Sequence, residues 1–100
     1  MIIALQLLRE AQKREWTFKV EDGYDEGPVE TASAAKAWEL VKGTDEAKVF
    51  FYDAGAAYLG WAYLMAPSPN TCADEESLVD YSESGNEFSD LCNELIEEAL

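Results

Sequence analysis

The sequence predicts an α+β fold, an antiparallel sheet of about four strands with helices packed on it, in the order α-β-α-β-β-β-α. Three observations predict it. Apolar residues recur at helical spacing near both ends of the chain. They alternate at period two over residues 15–21. In the middle, two strongly apolar segments flank Asp53-Ala54-Gly55, a turn that suits a hairpin.

Taken in order, residues 3–14 set Ile3, Ala4, Leu7, Leu8 and Ala11 on one helical face and Arg9, Glu10, Lys13 and Arg14 elsewhere. In 15–21, Trp16, Phe18 and Val20 alternate with Thr17, Lys19 and Glu21, a strand with one wet face. EDGYDEGP (21–28) is a loop by its glycines and Pro28. Thr31 or Ser33 caps a second helix running to about Val41, which buries Ala34, Ala37, Trp38 and Val41 and stops at Gly43. Residues 47–52 form an apolar strand, and 57–65 return from the turn. The return strand puts Leu59, Trp61, Tyr63 and Met65 on one face and Tyr58, Gly60, Ala62 and Leu64 on the other, where the small residues let a helix sit close. Pro67 and Pro69 end it, and 67–76 is a loop. A short last strand, 77–82, turns Leu78 and Val79 inward, and Gly85-Asn86 leads into the closing helix. The aromatics Trp16, Trp38, Phe50, Phe51, Trp61 and Tyr63 are expected in the core, while Tyr24, Tyr58 and Tyr81 are left open as rim residues. One hundred residues is a single domain by length and supports one modest core.

Charge carries the functional information. The net charge is −14, and every Lys and Arg lies at or before Lys48. Residues 1–48 hold 7 bases and 10 acids, whereas 49–100 hold 11 acids and no base. On the closing helix, Phe88, Leu91, Cys92, Leu95, Ile96 and Ala99 share an apolar face. Glu87, Asp90, Glu94, Glu97 and Glu98 form a separate stripe about 100° wide. Like charges at Asp90–Glu94 and Glu94–Glu98, and acids in a last turn that prefers bases, each cost a few tenths of a kcal/mol. Asp74, Glu75, Glu76, Asp80 and Glu83 lie just upstream. With strand and helix as neighbours, the two sets make two rows of carboxylates, comparable with the two phosphate rows of duplex DNA. Such a surface suits a groove lined by Lys and Arg.

Other readings stand beside this one. An acidic helix face is commonly a solvated face, and a high-salt habitat also raises acid content. Here, though, Glu outnumbers Asp 14 to 7 and the acids are segregated from the bases. Asp74-Glu75-Glu76 lacks the spacing of a calcium loop, so no metal is expected. The chain has no His to activate a Ser or Cys nucleophile and no Gly-rich phosphate loop, so the reading is non-enzymatic and without cofactor. Cys72 and Cys92 read as reduced thiols in a cytoplasmic protein, Cys92 on an apolar helix face, with a Cys72–Cys92 disulfide left open. MIIALQLL meets Arg9-Glu10 at once and does not read as a secretory signal. No run approaches the roughly 20 apolar residues of a membrane span.

The segments LLREAQKREWTFKVEDG, VFFYDAGAAYLGWAYLM and LVDYSESGNEFSDL resemble small accessory proteins of phages and prophages. Small acidic inhibitors, anti-CRISPR proteins and other DNA mimics among them, are a recurrent class in that population. The resemblance implies a non-enzymatic protein in the host cytoplasm that binds a host nuclease or surveillance complex where target DNA would bind. The expected partner is therefore a basic nucleic-acid-binding protein or nuclease complex, with no direct nucleic acid and no membrane. The alternative is an immunity-type or regulatory module that neutralises a basic toxin or enzyme through a few aromatic anchors. A third reading is a structural or housekeeping phage protein kept soluble by its acidity.

Overall fold

The computed structural model describes residues 3–21, 27–66 and 77–99. Eight elements follow one another: α1 (Ile3–Lys13), β1 (Thr17–Glu21), β2 (Val29–Thr31), α2 (Ala34–Thr44), β3 (Glu46–Tyr52), β4 (Tyr58–Met65), β5 (Leu78–Tyr81) and α3 (Glu87–Ala99). The five strands make one antiparallel sheet in the order β2-β1-β3-β4-β5. The fold class is the expected one. The added element is β2, three residues after Pro28 that pair with Phe18, Lys19 and Val20.

The helices cover one face of this sheet. Phe18, Val20, Val49, Phe51, Ala62 and Leu64 point toward them and are fully buried. Ile3, Ala4, Leu7, Leu8 and Ala11 of α1, and Ala34, Ala37, Trp38 and Val41 of α2, join the same core, as the helical spacing requires. Phe51 lies at the centre, its ring 5.4 Å from Phe18 and 4.8 Å from Phe88. Contacts of this kind add about 0.5–1.5 kcal/mol each beyond the area they bury.

Helix ends are tied down by specific groups. Glu15 takes a left-handed conformation (φ 63) that closes α1, with the Glu15 N–H donating to Gln12 O and the Trp16 N–H to Ala11 O. The strand expected from residue 15 consequently begins at Thr17. Ser33 caps α2 by accepting from the Lys36 N–H, and Gln12 Oε1 accepts from the Ala34 N–H at 2.6 Å, fastening α1 to the start of α2. The second helix runs past Gly43 to Thr44, and the left-handed residue that ends it is Asp45 (φ 66). Buried Ser77 accepts from the Ala4 N–H at 2.9 Å, joining the chain before β5 to the first turn of α1.

Two strand phases differ from expectation. The register shifts between Phe51 and Tyr52, so Phe51 pairs with Gly60 while Tyr52 pairs with Tyr58. Tyr58 is thereby carried to the face away from the helices, 54% exposed, and Leu59 is buried instead. A second shift between Tyr63 and Leu64 pairs Leu64 with Leu78 and Tyr63 with Asp80, leaving Val79 52% exposed rather than inward. Trp16, Trp38 and Phe51 are core residues, but Phe50, Trp61 and Tyr63 are half-buried on the helix-free face. Among the described residues no helix is long and apolar enough to cross a membrane.

Candidate functional site

The rotational setting of α3 is fixed at its first turn. Asn86 Oδ1 accepts from the N–H groups of Phe88 (3.1 Å) and Ser89 (3.3 Å), and Asn86 Nδ2 donates to the carbonyl of Leu59 on β4 at 2.8 Å. The Asn86 N–H in turn donates to Ser89 Oγ at 3.1 Å. Gly60 then receives the Phe88 ring. A Cβ built on Gly60 would stand 2.6 Å from that ring, so only glycine admits it there. With Phe88, Leu91, Cys92 and Leu95 buried and Ile96 at the margin, Glu87, Asp90, Glu94, Glu97 and Glu98 all emerge into solvent.

These five acids border two different neighbours. On one side, Tyr81 of β5 hydrogen-bonds Asn93 of α3, joining the edge strand to the helix. Its hydroxyl is held above the ordinary tyrosine range by burial first, and then by the charges of Cys92, Glu83, Asp80 and Glu97. Glu97, Glu83 and Asp80 each act on this hydroxyl, but Asp80 pairs with Tyr63 and so stands on the helix-free face, on the opposite side from Tyr81, and does not form a common row with the acids of α3. On the other side, α1 and α3 enclose a groove of about 390 Å³ in which Glu94 and Glu98 face Arg9, Lys13 and Arg14. The stripe is therefore asymmetric, with Glu94 and Glu98 near bases of the front half and Glu97 on the side of Tyr81.

Among the described residues the ion pairs are Lys13–Glu10 at 3.2 Å and Lys42–Glu39 at 2.8 Å, and neither includes an acid of β5 or α3. Asp80, Glu83, Glu87, Asp90, Glu94, Glu97 and Glu98 are consequently solvated carboxylates without a cation at contact distance. Asp74, Glu75 and Glu76, Tyr24, and Cys72 with its pairing lie outside the described residues. Cys92 is a free, buried thiol on the core side of α3, and burial pushes it up to about 12. Among the described residues no three His, Cys, Asp or Glu side chains converge as metal ligands.

The sequence reading missed a second surface. On the helix-free face, Lys48 Nζ sits 4.5 Å from the Trp61 ring centroid and 5.4 Å from that of Phe50, and Lys19 Nζ sits 5.1 Å from that of Tyr52. Tyr52 and Tyr58 approach to 5.6 Å between centroids. Half-buried rings gathered on one sheet face are more than scattered surface hydrophobes. The available signal was Lys48, the one charged residue inside the apolar run of β3, which marks the parity of Phe50 and Tyr52 as outward. Comparison with protein-family models, curated proteins and solved structures finds no match to the chain.

Proposed function

We propose that this chain is a non-enzymatic acidic inhibitor that imitates DNA and occupies a basic nucleic-acid-binding groove, of the kind a CRISPR effector complex presents. One observation carries the reading. The acids of α3 and Glu83 are exposed, β5 and α3 are joined by the Tyr81–Asn93 hydrogen bond, and among the described residues none of these acids has a cation at contact distance. Within the stripe, neighbouring acids three or four residues apart stand about 5–6 Å from one another at Cβ. Lys and Arg positioned for phosphates can meet such a ridge without any sequence being read. The centre of the contact is Glu87, Asp90 and Glu97 with Glu83, because Glu94 and Glu98 already face the bases of α1 and Asp80 stands on the helix-free face. Asp74, Glu75 and Glu76 extend the acidic segment in sequence. Association between opposite fields is fast and falls steeply with salt.

The test is competitive capture from lysate. Immobilised chain is expected to retain DNA-binding proteins at low salt, and duplex DNA of arbitrary sequence is expected to release them. The double variant Asp90→Lys, Glu97→Lys keeps the core face and is expected to retain none of them. Capture that DNA does not displace, or an unchanged set on the double variant, sinks the reading.

A further inference from the structure

The helix-free sheet face combines two features that need opposite partners. Its centre holds Lys19 and Lys48, whose ammonium groups rest on rings, with no carboxylate at contact distance among the described residues. The exposed carboxylates of Glu21, Glu30, Glu46 and Asp80 share this face, so its partner has to offer both signs of charge. Single-stranded nucleic acid would find the ring faces it stacks on occupied by Lys48, on a molecule of net charge −14. We propose that the occupant is a second copy of this chain, packed face to face through the sheet.

Register supplies the complementarity. Lys19, Phe50 and Trp61 form one row across β1, β3 and β4, and Glu21, Lys48 and Tyr63 form the next row on the same face. The rows are about 6.6 Å apart, two residues along each strand. A two-fold axis lying between them, perpendicular to the strands, exchanges the rows. Lys19 then faces Glu21 of the second copy, Lys48 faces its Phe50, and Trp61 faces its Tyr63. Each contact is made twice, as an isologous interface requires. Two sheets stacked about 10 Å apart with strands within about 30° preserve this pairing near the axis. The acidic stripe of α3 lies on the helix side and stays outside the interface, and Asp80, opposite Tyr63 on the edge strand, borders it. Repulsion between two negative chains is screened by salt, so this association strengthens as salt rises, the reverse of the inhibitory contact.

Sedimentation equilibrium tests it, from about 10 to 500 μM protein at about 50 and 500 mM NaCl. A reversible monomer–dimer equilibrium, tighter at the higher salt, is expected. Lys19→Glu is expected to weaken the dimer at least about tenfold, which is about 1.4 kcal/mol. Adding Glu21→Lys restores it, because the exchange keeps opposite charges opposed. Unfolding midpoints confirm that each variant is folded, since Lys19 also touches Tyr52. A monomer at every concentration and both salts overturns the proposal, as does a dimer indifferent to Lys19→Glu or a double variant that is not restored. Quenching of tryptophan fluorescence by a thymidine oligonucleotide, lost in Trp61→Leu, would assign the face to nucleic acid. Binding of an oligoarginine peptide, lost in the same variant, would assign it to a basic partner. Either result overturns self-association there.

Discussion

The Phe88 ring lies against Gly60 at a distance that leaves no room for a side chain, with the ring carbons 2.6 and 2.9 Å from where a Cβ would stand. This contact sets the spacing between α3 and β4, and with the Asn86–Leu59 hydrogen bond it aims the acid stripe. Gly60→Ala is expected to destabilise the fold by about 1–3 kcal/mol through overpacking against the buried Phe88 ring and the Ser82 hydroxyl, the nearest atom of all. Urea unfolding of Gly60→Ala, Phe88→Leu and the double variant measures it. The double variant is expected to be less unstable than the sum of the singles, and strict additivity would refute the contact.

Glu15 offers a change of the opposite sign. It holds a left-handed conformation at the end of α1, where Glu strains and glycine does not. Glu15 is exposed and no ion pair among the described residues depends on it, so Glu15→Gly is expected to stabilise by about 0.5–1 kcal/mol. A lower urea midpoint for Glu15→Gly would contradict the cap geometry.

Glu15 also illustrates where the sequence could be read and where it could not. The apolar faces of α1, α2 and α3 were legible because a 3.6-residue period separates one face from the other. The exposed acids of α3 followed from the same arithmetic. In β3 both parities are apolar, so period two could not say which set faces the helices, whereas in β4 small Gly60 and Ala62 marked the helix side on which Phe88 packs. Two register shifts then moved Tyr58 and Val79 outward, and no local signal marks either. Expecting glycine at helix ends hid the caps at Glu15 and Asp45. The approach of Arg9, Lys13 and Arg14 to Glu94 and Glu98 joins residues some eighty positions apart and exists only in the folded packing.

Burial at Cys92 gives stability an alkaline limb. The thiol's ordinary value of 9.0 is raised to about 12 in the folded chain. Its protonated form is neutral, so above its ordinary value the unfolded state sheds the proton first. The contribution of Cys92 is therefore whole below about pH 9 and is lost as pH rises toward 12, by up to about 1.4 kcal/mol per pH unit. Cys92→Ala is expected to be less stable at neutral pH, and its stability should converge on the parent's as pH increases. Parallel stability curves for the two proteins between about pH 8 and pH 10.5 would rule the buried thiol out as the cause.

The two acids of the last turn separate a functional stripe from a merely soluble one. Glu97 acts on Tyr81 at the β5 side of α3, whereas Glu98 lies across the groove from Arg9, Lys13 and Arg14. Both oppose the helix dipole, but only Glu98 has bases opposite to offset that. Glu97→Lys is expected to raise stability by about 0.3–1 kcal/mol at low salt, with the gain shrinking as salt is added. Glu98→Lys places a fourth base beside the other three and is expected to be neutral or destabilising. Capture of DNA-binding proteins should respond in the other direction, with Glu97→Lys losing most of it while gaining stability. Natural acids that weaken their own helix yet are needed for binding are explained by a partner. A Glu97→Lys chain that is more stable and binds as well as its parent would leave the stripe with no role beyond solvation.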